Sequence, residues 1–321
     1  MRHMQVETVK LPLALPLSIA SSTRNAVTVV RVTLEEQGFI GQGECTPNFY
    51  NGESPESVSH QLQAIAQAVE SGLTLDALQD ALPPGAARNA LNCALWRLNA
   101  ALKKQTLWQC LDIPPPTSVI SAQTLSLDNM ENMAIAAAQA VSRGALLLKI
   151  KLDRELILEK VAAIRQAAPL ATLIIDANEA WSGLDLRSLF NALTRYQIAM
   201  VEQPLPVGKD DDLLRFTHPI PICADESCRH SGDIAKLRSR YEMINIKLDK
   251  CGGITEALVM VEEAKLHGLR IMVGCMLGSS MAMEAALPLT AFAEYVDLDG
   301  PIWLASDSSP YLSYNLGRIW L

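Results

Sequence analysis

Eight short apolar runs in the sequence each end in a polar or reactive side chain. These end residues recur at intervals of 22 to 28 positions. They are Thr124, Lys151, Asp176, Glu202, Asp225, Lys247, Cys275 and Asp297. One charged residue at the end of a strand often only caps a loop or forms a surface ion pair. Charges at six of the eight ends instead indicate a site that is assembled from several strands.

Three consecutive runs end in carboxylates, at Asp176, Glu202 and Asp225. Neighbouring strands lie about 4.8 Å apart, so three carboxylates at adjacent strand ends repel one another. A divalent cation removes this repulsion, and ligands that are all carboxylate oxygens favour Mg²⁺ or Mn²⁺ over zinc. None of the five histidines ends a run, and we interpret them as surface or structural residues.

The lysines form a second group. Lys149 and Lys151 are two residues apart, so both side chains point to the same side of a strand. Lys151 ends the second run and Lys247 the sixth, half the circumference of an eight-stranded barrel apart. Mutual repulsion and a nearby cation are expected to lower a lysine pKa toward neutrality, so that one lysine acts as a base. The alternative is that one or more lysines only pair with the carboxylates, and it is strongest for Lys149.

Opposed bases on either side of a cation predict a reaction class. The cation binds a substrate carboxylate, one lysine removes the α-proton, and Mg²⁺ holds the resulting enediolate. The other lysine returns a proton to the opposite face, which inverts the α-carbon.

Strands followed by helices must position these side chains. The apolar runs are Val119–Thr124, Leu146–Lys151, Thr172–Asp176, Ala199–Glu202, Ile220–Asp225, Met243–Leu248, Arg270–Cys275 and Glu294–Asp299. Each interval has room for a strand of about five residues, a helix of roughly 10–14 and two short loops, which is the size of a β/α unit. Eight such units close into a parallel barrel, whose active site lies at the carboxyl ends of the strands.

The first hundred residues have a different pattern. Val27–Leu34 and Phe39–Glu44 predict a β-hairpin. Leu11–Ala20 could pass for the core of a signal peptide, but two prolines interrupt it, so we predict an edge strand.

Helices are predicted after this hairpin. One begins at Ser54, with Pro55 at its first position, and runs to about Gly72; another begins near Gly85. Strands followed by helices favour an α+β unit. Three consecutive prolines from Pro114 then mark a domain boundary.

The composition excludes several classes of protein. The chain has 321 residues, of which 49% are hydrophobic and 19% charged, so it is not disordered. A net charge of −8 without a basic cluster argues against binding to nucleic acid or anionic membranes. Seven scattered cysteines without a C-x-x-C pair argue against a disulfide framework or structural zinc, and we expect a cytoplasmic protein.

Five motifs occur in order at this barrel spacing. They are KIK (149–151), DAN (176–178), EQP (202–204), ADES (224–227) and NIKLDKCGG (245–253). With these motifs the chain resembles the enolase superfamily, muconate-lactonizing subgroup. The resemblance implies an N-terminal α+β capping domain (1–113), a modified (β/α)7β TIM-type barrel (117–302) and a C-terminal tail (303–321) that packs back on the cap.

The same resemblance implies roles for the strand-end residues. Asp176, Glu202 and Asp225 become the ligands of one Mg²⁺ per subunit, for which Mn²⁺ can substitute. Lys151 and Lys247 become the acid/base pair. Whether Lys149 is catalytic or only positions the substrate stays open, as does the oligomeric state, although relatives often form homo-oligomers.

The motif Asp297-Leu298-Asp299 bears on the substrate. Both aspartates point toward the mouth of the predicted barrel and can bind a cation such as a free α-ammonium group. The alternative is that one of them caps the loop before Gly300. The motif resembles the D-x-D of the dipeptide epimerases, of the L-Ala-D/L-Glu type.

The resemblance to these epimerases implies further substrate contacts. Arg24, in a mobile-looking segment (20–25), would hold an acidic side chain such as that of Glu, and Thr124, Lys149 and Cys275 would also touch the substrate. The activity would suit recycling of murein peptides. Two alternatives remain: o-succinylbenzoate synthase, N-acylamino acid racemase or cycloisomerase chemistry of the same subgroup, and a non-catalytic binding protein on the same barrel.

Overall fold

The computed structural model describes residues 2–321. The chain begins with an antiparallel sheet of β1 (Arg2–Ile19), β2 (Ser22–Glu36) and β3 (Phe39–Cys45), in that order. The predicted hairpin is therefore confirmed as β2–β3. The predicted edge strand is the second half of β1, which lies at the edge of this sheet beside β2 and shifts register between Pro12 and Leu17.

Five helices follow this sheet, and the first four share an apolar core with it. They are α1 (Pro55–Ala64), α2 (Ala66–Glu70), α3 (Leu75–Ala81), α4 (Ala86–Leu102) and α5 (Leu107–Cys110). Ser54 caps α1 as predicted, but the helix expected to reach Gly72 breaks at Ile65, whose N–H bonds to the carbonyl three residues back, on Leu62. Helix α4 lies directly on β3, where a Cβ on Gly43 would stand 2.0 Å from the Ala90 carbonyl.

After a strand β4 (Ser118–Ile120), eight parallel strands form a barrel. They are β5 (Gln123–Leu125), β6 (Leu147–Lys151), β7 (Thr172–Asp176), β8 (Ile198–Glu202), β9 (Ile222–Ala224), β10 (Met243–Ile246), β11 (Arg270–Gly274) and β12 (Tyr295–Asp297). The helices around them are α6 (Met130–Ser142), α7 (Ile157–Ala167), α8 (Leu186–Leu193), α9 (Ser231–Leu237), α10 (Leu248–Cys251), α11 (Ile254–Leu266) and α12 (Ser280–Ala286). A 3₁₀ helix (Asp210–Arg215) connects β8 to β9. The predicted (β/α)7β barrel with a capping domain is confirmed.

One predicted strand is divided in two. The run Val119–Thr124 covers the end of β4 and the start of β5, because the chain passes from one sheet to another at Ser121 and Ala122. The N–H of Ser121 bonds to Gly317 in the C-terminal segment, and the N–H of Ala122 bonds to Val296 at 2.7 Å. The second bond joins the β5 side of the barrel to β12 and so closes the circle.

Side chains inside the barrel form two layers. Toward the amino ends of the strands, an apolar layer takes one residue from each of seven positions around the barrel: Ala122, Leu147, Ile174, Met200, Cys223, Met243 and Met272. Because side chains alternate along a strand, the residues two and four places further on also point inward. That second layer contains the charged strand ends.

The C-terminal segment returns across both domains. Its hairpin of β13 (Ser313–Asn315) and β14 (Arg318–Trp320) pairs with β4. Leu304 forms a bridge with Leu13 of β1, and the Ala305 N–H bonds to Pro12. Among residues 2–321, no helix is long and apolar enough to cross a membrane.

Candidate active site

The barrel brings the predicted charged residues together at the carboxyl ends of its strands. Lys149 and Lys151 lie on β6, and Asp176, Glu202 and Asp297 end β7, β8 and β12. Asp225 and Lys247 directly follow β9 and β10. They surround or directly support a cavity of about 290 Å³ beneath the β1–β2 hairpin, which is also lined by Arg24, Thr124, Cys275 and Asp299.

Lys149 is enclosed by carboxylates. Its Nζ lies 2.8 Å from Asp297 Oδ2, 2.8 Å from Glu202 Oε2 and 3.1 Å from Asp176 Oδ2. Only 1% of the residue is exposed. Burial opposes the charge, but Asp297, Glu202 and Asp176 outweigh it and raise the pKa of Lys149 well above its usual value. The pairing alternative therefore describes Lys149 in this structure.

The two predicted bases each contact one carboxylate. Lys151 Nζ lies 2.6 Å from Asp176 Oδ2, and Lys247 Nζ lies 2.6 Å from Asp225 Oδ2. Burial alone would lower the pKa of Lys247, but Asp225 raises it above its usual value. In this arrangement ion pairing outweighs both burial and repulsion between lysines, so the pKa values of Lys149 and Lys247 are raised. The predicted lowering of a lysine pKa depends on a nearby cation and stays a prediction.

The carboxylates divide into two groups. Burial opposes the charge of Asp176 and Asp225, but the lysines that contact them lower both pKa values below the usual range. Burial, followed by the charge of Asp176, raises the pKa of Glu202 to about 7. Burial and then Asp225 raise the pKa of Glu226 to about 8.

The site therefore carries more negative than positive groups. The carboxylates that line or support the cavity are Asp176, Glu179, Glu202, Asp225, Glu226, Asp297 and Asp299, and the cationic groups are Arg24, Lys149, Lys151, Arg229, Lys247 and Lys250.

The three predicted metal ligands turn toward lysines here. No group of three or more His, Cys, Asp or Glu side chains in residues 2–321 is arranged as a metal cluster. The donor set nevertheless fits Mg²⁺: Asp176, Glu202 and Asp225 supply carboxylates from three adjacent strands. Glu202 Oε2 is also fully buried and accepts no well-oriented hydrogen bond, although the Lys149 ammonium stands 2.8 Å away.

Asp297 and Asp299 form a second anionic element. Asp297 Oδ1 is buried without a hydrogen-bond partner, while Asp299 Oδ2 accepts bonds from the Thr124 N–H at 2.7 Å and from Trp303 Nε1 at 3.3 Å. Burial and then Asp297 raise the pKa of Asp299 to about 6. Asp299 precedes the 3₁₀ helix Gly300–Trp303, but its side chain makes no cap bond to that helix. The alternative of a loop cap therefore does not describe it.

Arg24 lies over the cavity, as expected, but not in a loop. It belongs to β2, pairs with Leu17 of β1 and is partly buried. A hydrogen bond of 3.0 Å between Ser21 Oγ and Tyr50 Oη ties the hairpin turn to the 3₁₀ helix Phe49–Asn51. The predicted mobile segment is thus the tip of a long hairpin that covers the barrel mouth.

Several contacts were missed by the sequence analysis although they lie within the recognised motifs. Asn245 Nδ2 donates to Glu202 Oε1 at 2.8 Å, and Lys250 Nζ lies 2.6 Å from Asp225 Oδ1. Gln203 Oε1 accepts from the Asp225 N–H at 2.9 Å. These residues orient the carboxylates, and the strings EQP and NIKLDKCGG were the signal that could have identified them.

Two parts of the chain match known protein families. Residues 1–111 match the family described as "Mandelate racemase / muconate lactonizing enzyme, N-terminal domain", and residues 132–314 match "Enolase C-terminal domain-like". The chain is 48% identical to the L-Ala-D/L-Glu epimerase of Escherichia coli K12, over 100% of both chains. It is 40% identical to an N-acetyl-D-glutamate racemase of Pseudoalteromonas, over 91% of this chain and 92% of the relative.

A solved structure is similar over its whole length. It is an enolase family member from Agrobacterium tumefaciens, described as having homology to dipeptide epimerases and containing bound sodium and L-Ala-L-Glu. The two chains superpose with a TM-score of 0.96 at 42% identity, over 100% of this chain and 98% of the other.

Proposed function

This chain belongs to the enolase superfamily, in the mandelate racemase/muconate lactonizing enzyme group, and we propose that it is an isomerase that epimerises the C-terminal residue of a dipeptide of the L-Ala-D/L-Glu type. The observation that carries this proposal is the placement of Lys151 and Lys247. They lie four strands apart in an eight-stranded barrel and line the same cavity as Asp297 and Asp299.

In the proposed reaction, Lys151 and Lys247 exchange the α-proton of the substrate on its two faces. A lysine must be neutral to accept this proton, and contact with Asp225 now holds the pKa of Lys247 high. Release from that contact is therefore part of its activation. Bound Mg²⁺ would take Asp176, Glu202 and Asp225 as ligands and stabilise negative charge on the substrate carboxylate.

The remaining side chains would select the substrate. Asp297 and Asp299 would bind the N-terminal ammonium, because one carboxylate oxygen of Asp297 is buried and unpartnered. Arg24 would bind the acidic side chain of the C-terminal residue. Thr124, Lys149 and Cys275 would complete the substrate site, with Lys149 holding Asp297 and Glu202 in place.

The proposal extends to the setting of the enzyme. We assign one Mg²⁺ per subunit, with Mn²⁺ as a substitute, and a cytoplasmic role in recycling murein peptides. All seven cysteines are free thiols, which supports a reducing compartment. The domains would be the cap (1–113), the barrel (117–302) and the tail (303–321), and we leave the oligomeric state unassigned.

A second candidate is N-acylamino acid racemisation, which the 40% identity to an N-acetyl-D-glutamate racemase favours. Such a substrate has no free ammonium group, so Asp297 and Asp299 would have nothing to bind. Asp297→Asn and Asp299→Asn should then leave N-acetyl-glutamate racemisation almost unchanged. For the dipeptide, the same variants should raise KM, because the ammonium loses its ionic partner.

Proton NMR in D₂O tests the main proposal. Purified protein with L-Ala-L-Glu and Mg²⁺ should cause loss of the Glu α-proton signal and the appearance of L-Ala-D-Glu resonances. EDTA should stop both changes. No exchange with L-Ala-L-Glu or other acidic dipeptides, together with exchange in N-acetyl-glutamate, would shift the function to the second candidate.

A further inference from the structure

A second, larger cavity lies beside the active-site cavity. Its volume is about 1090 Å³, and it is bounded by β1, by the segment between β5 and α6, by α6 and by the C-terminal hairpin. Polar side chains contribute to its lining, among them Gln139 of α6, Arg143 directly after α6 and Arg318 of β14. The proposed reaction uses none of these three.

Two residues form the wall between the cavities. Among residues 2–321, only Thr124 and Trp303 line both of them. Thr124 is held in β5 by pairing with Lys149 of β6, and its N–H donates to Asp299 Oδ2 at 2.7 Å. The rest of the wall is the indole side chain of Trp303, whose Nε1 donates to the same oxygen at 3.3 Å.

The backbone around Trp303 is held in place from both sides. The Ile302 N–H bonds to Asp299, and the Leu304 N–H bonds to Pro301. Leu304 also forms a bridge with Leu13 of β1. The indole of Trp303 is therefore the part of the wall that a substitution can remove without moving the chain.

Resting on the dipeptide function proposed above, we propose that Trp303 restricts the substrate to dipeptides. In a dipeptide, the residue with the free N-terminal ammonium directly precedes the residue that is epimerised. The N-terminal ammonium is placed at Asp297 and Asp299. A group attached to that nitrogen would have to extend past Asp299, and there the Trp303 indole separates the two cavities. Behind the indole, the larger cavity has the space and the polar lining to accept one more amino-acid residue.

The test compares two substrates, L-Ala-L-Glu and Gly-L-Ala-L-Glu, in the full-length Mg²⁺-loaded enzyme. Wild type should epimerise the dipeptide and work poorly on the tripeptide. In Trp303→Ala, the ratio of tripeptide to dipeptide kcat/KM should rise roughly 10- to 100-fold, the scale on which steric fit in a pocket discriminates between substrates. The ratio is the readout because the tripeptide presents a neutral amide to Asp299, which lowers its absolute rate.

Two control variants separate the wall from other effects. Trp303→Phe keeps most of the bulk but loses the hydrogen bond to Asp299, so the ratio should stay near that of wild type. Ile302→Ala removes a side chain that lines only the larger cavity and should also leave the ratio unchanged. If Trp303→Ala does not fold, as judged by circular dichroism, Trp303→Leu makes the same test with a smaller loss of volume.

The outcomes distinguish this inference from the function on which it rests. A wild-type enzyme that does not epimerise the dipeptide refutes the proposed function. A wild-type enzyme that already processes the tripeptide as well as the dipeptide refutes the role of Trp303. The same role is refuted if dipeptide activity persists in Trp303→Ala or Trp303→Leu and the ratio stays at the wild-type value.

Discussion

The two ends of the barrel interior use the same strands for opposite purposes. On β7, Ile174 belongs to the apolar layer, and Asp176, two residues later, belongs to the charged layer. On β8, Met200 and Glu202 repeat this pairing. The apolar layer contributes stability through burial, whereas the charged layer takes ions out of water and depends on counter-charges. A step of two residues along a strand thus separates the part that stabilises the fold from the part that performs the chemistry.

The largest effect should come from the lysines of the charged layer. Lys151→Ala or Lys247→Ala should lower kcat about 10²- to 10⁴-fold, the usual contribution of a positioned acid or base. Stability should change little, because Asp176 keeps its contact with Lys149 and Asp225 keeps its contact with Lys250. NMR measurements of epimerisation check the loss of kcat, and urea unfolding checks the stability.

A matched control exists on the surface. Lys265 pairs with Glu262 in an exposed ion pair, so Lys265→Ala should change neither property. Deuterium exchange should also show which face each lysine serves. Each variant retains a base on one face, so it should exchange the α-proton of one diastereomer and not of the other. Normal epimerisation by both variants would mean that neither lysine is a base.

A substitution in the apolar layer should instead lower the stability and leave kcat almost unchanged. Ile174 is fully buried, and Ile174→Ala should lower the free energy of unfolding by about 2–5 kcal/mol through lost burial and the cavity left behind. The folded variant should keep a kcat close to that of wild type. Ile135 is 49% exposed on α6, and Ile135→Ala is the control with the same change of side chain. A large loss of kcat in folded Ile174→Ala would show that the two layers are not independent.

The division into two layers explains what the sequence could predict. An apolar run that ends in a charge identifies both the strand and the end at which the site lies, so Asp176, Glu202 and Asp297 could be placed from spacing alone. The division of the run Val119–Thr124 could not be foreseen. It depends on the bonds from Ser121 to Gly317 and from Ala122 to Val296, whose partners are more than 170 positions away.

The contacts of the lysines also could not be predicted from the sequence. Strand alternation places Lys149 and Lys151 on the same side, but the length of a lysine side chain leaves open which carboxylate each one reaches. Lys149 pairs with three carboxylates and Lys151 pairs with Asp176, and the contacts of Lys149 decide the direction of its pKa shift. Spacing predicts which side chains meet at a site, whereas packing decides which of them touch.

A smaller effect should come from a glycine in the charged layer. Gly274, at the end of β11, leaves room for Asn245, and a Cβ there would stand 2.6 Å from Asn245 Oδ1. Gly274→Ala should therefore displace the amide that donates to Glu202. We expect the Mg²⁺ concentration for half-maximal activity to rise about 10-fold or more, the scale reported for groups that orient metal ligands.

The control for this prediction is Gly232→Ala. Its Cβ would meet only the His230 side chain near the surface, so the Mg²⁺ requirement should stay that of wild type. A Mg²⁺ titration of activity compares the two variants. An unchanged requirement in Gly274→Ala would contradict the role assigned to Asn245.

The smallest effect concerns Asp249, a buried charge that is held by hydrogen bonds rather than by a lysine. Only two residues after Lys247, it faces the cap: Asp249 Oδ1 accepts bonds from the Thr46 N–H at 2.9 Å and from Asn89 Nδ2 at 2.8 Å. Burial raises its pKa from 3.8 to about 7, although both hydrogen bonds lower it. Here burial prevails because no ammonium group pairs with the carboxylate.

Stability should therefore fall as pH rises. The folded state binds the Asp249 proton more tightly than the unfolded state does, so each step in pH between about 4 and 7 favours unfolding. Between pH 6 and pH 8, the part of this loss due to Asp249 should be about 1 kcal/mol. Asp249→Asn keeps an oxygen that can accept both bonds but cannot ionise, so its free energy of unfolding should fall less over this range. Urea unfolding at the two pH values makes the comparison, and equal slopes for wild type and variant would mean that Asp249 does not titrate there.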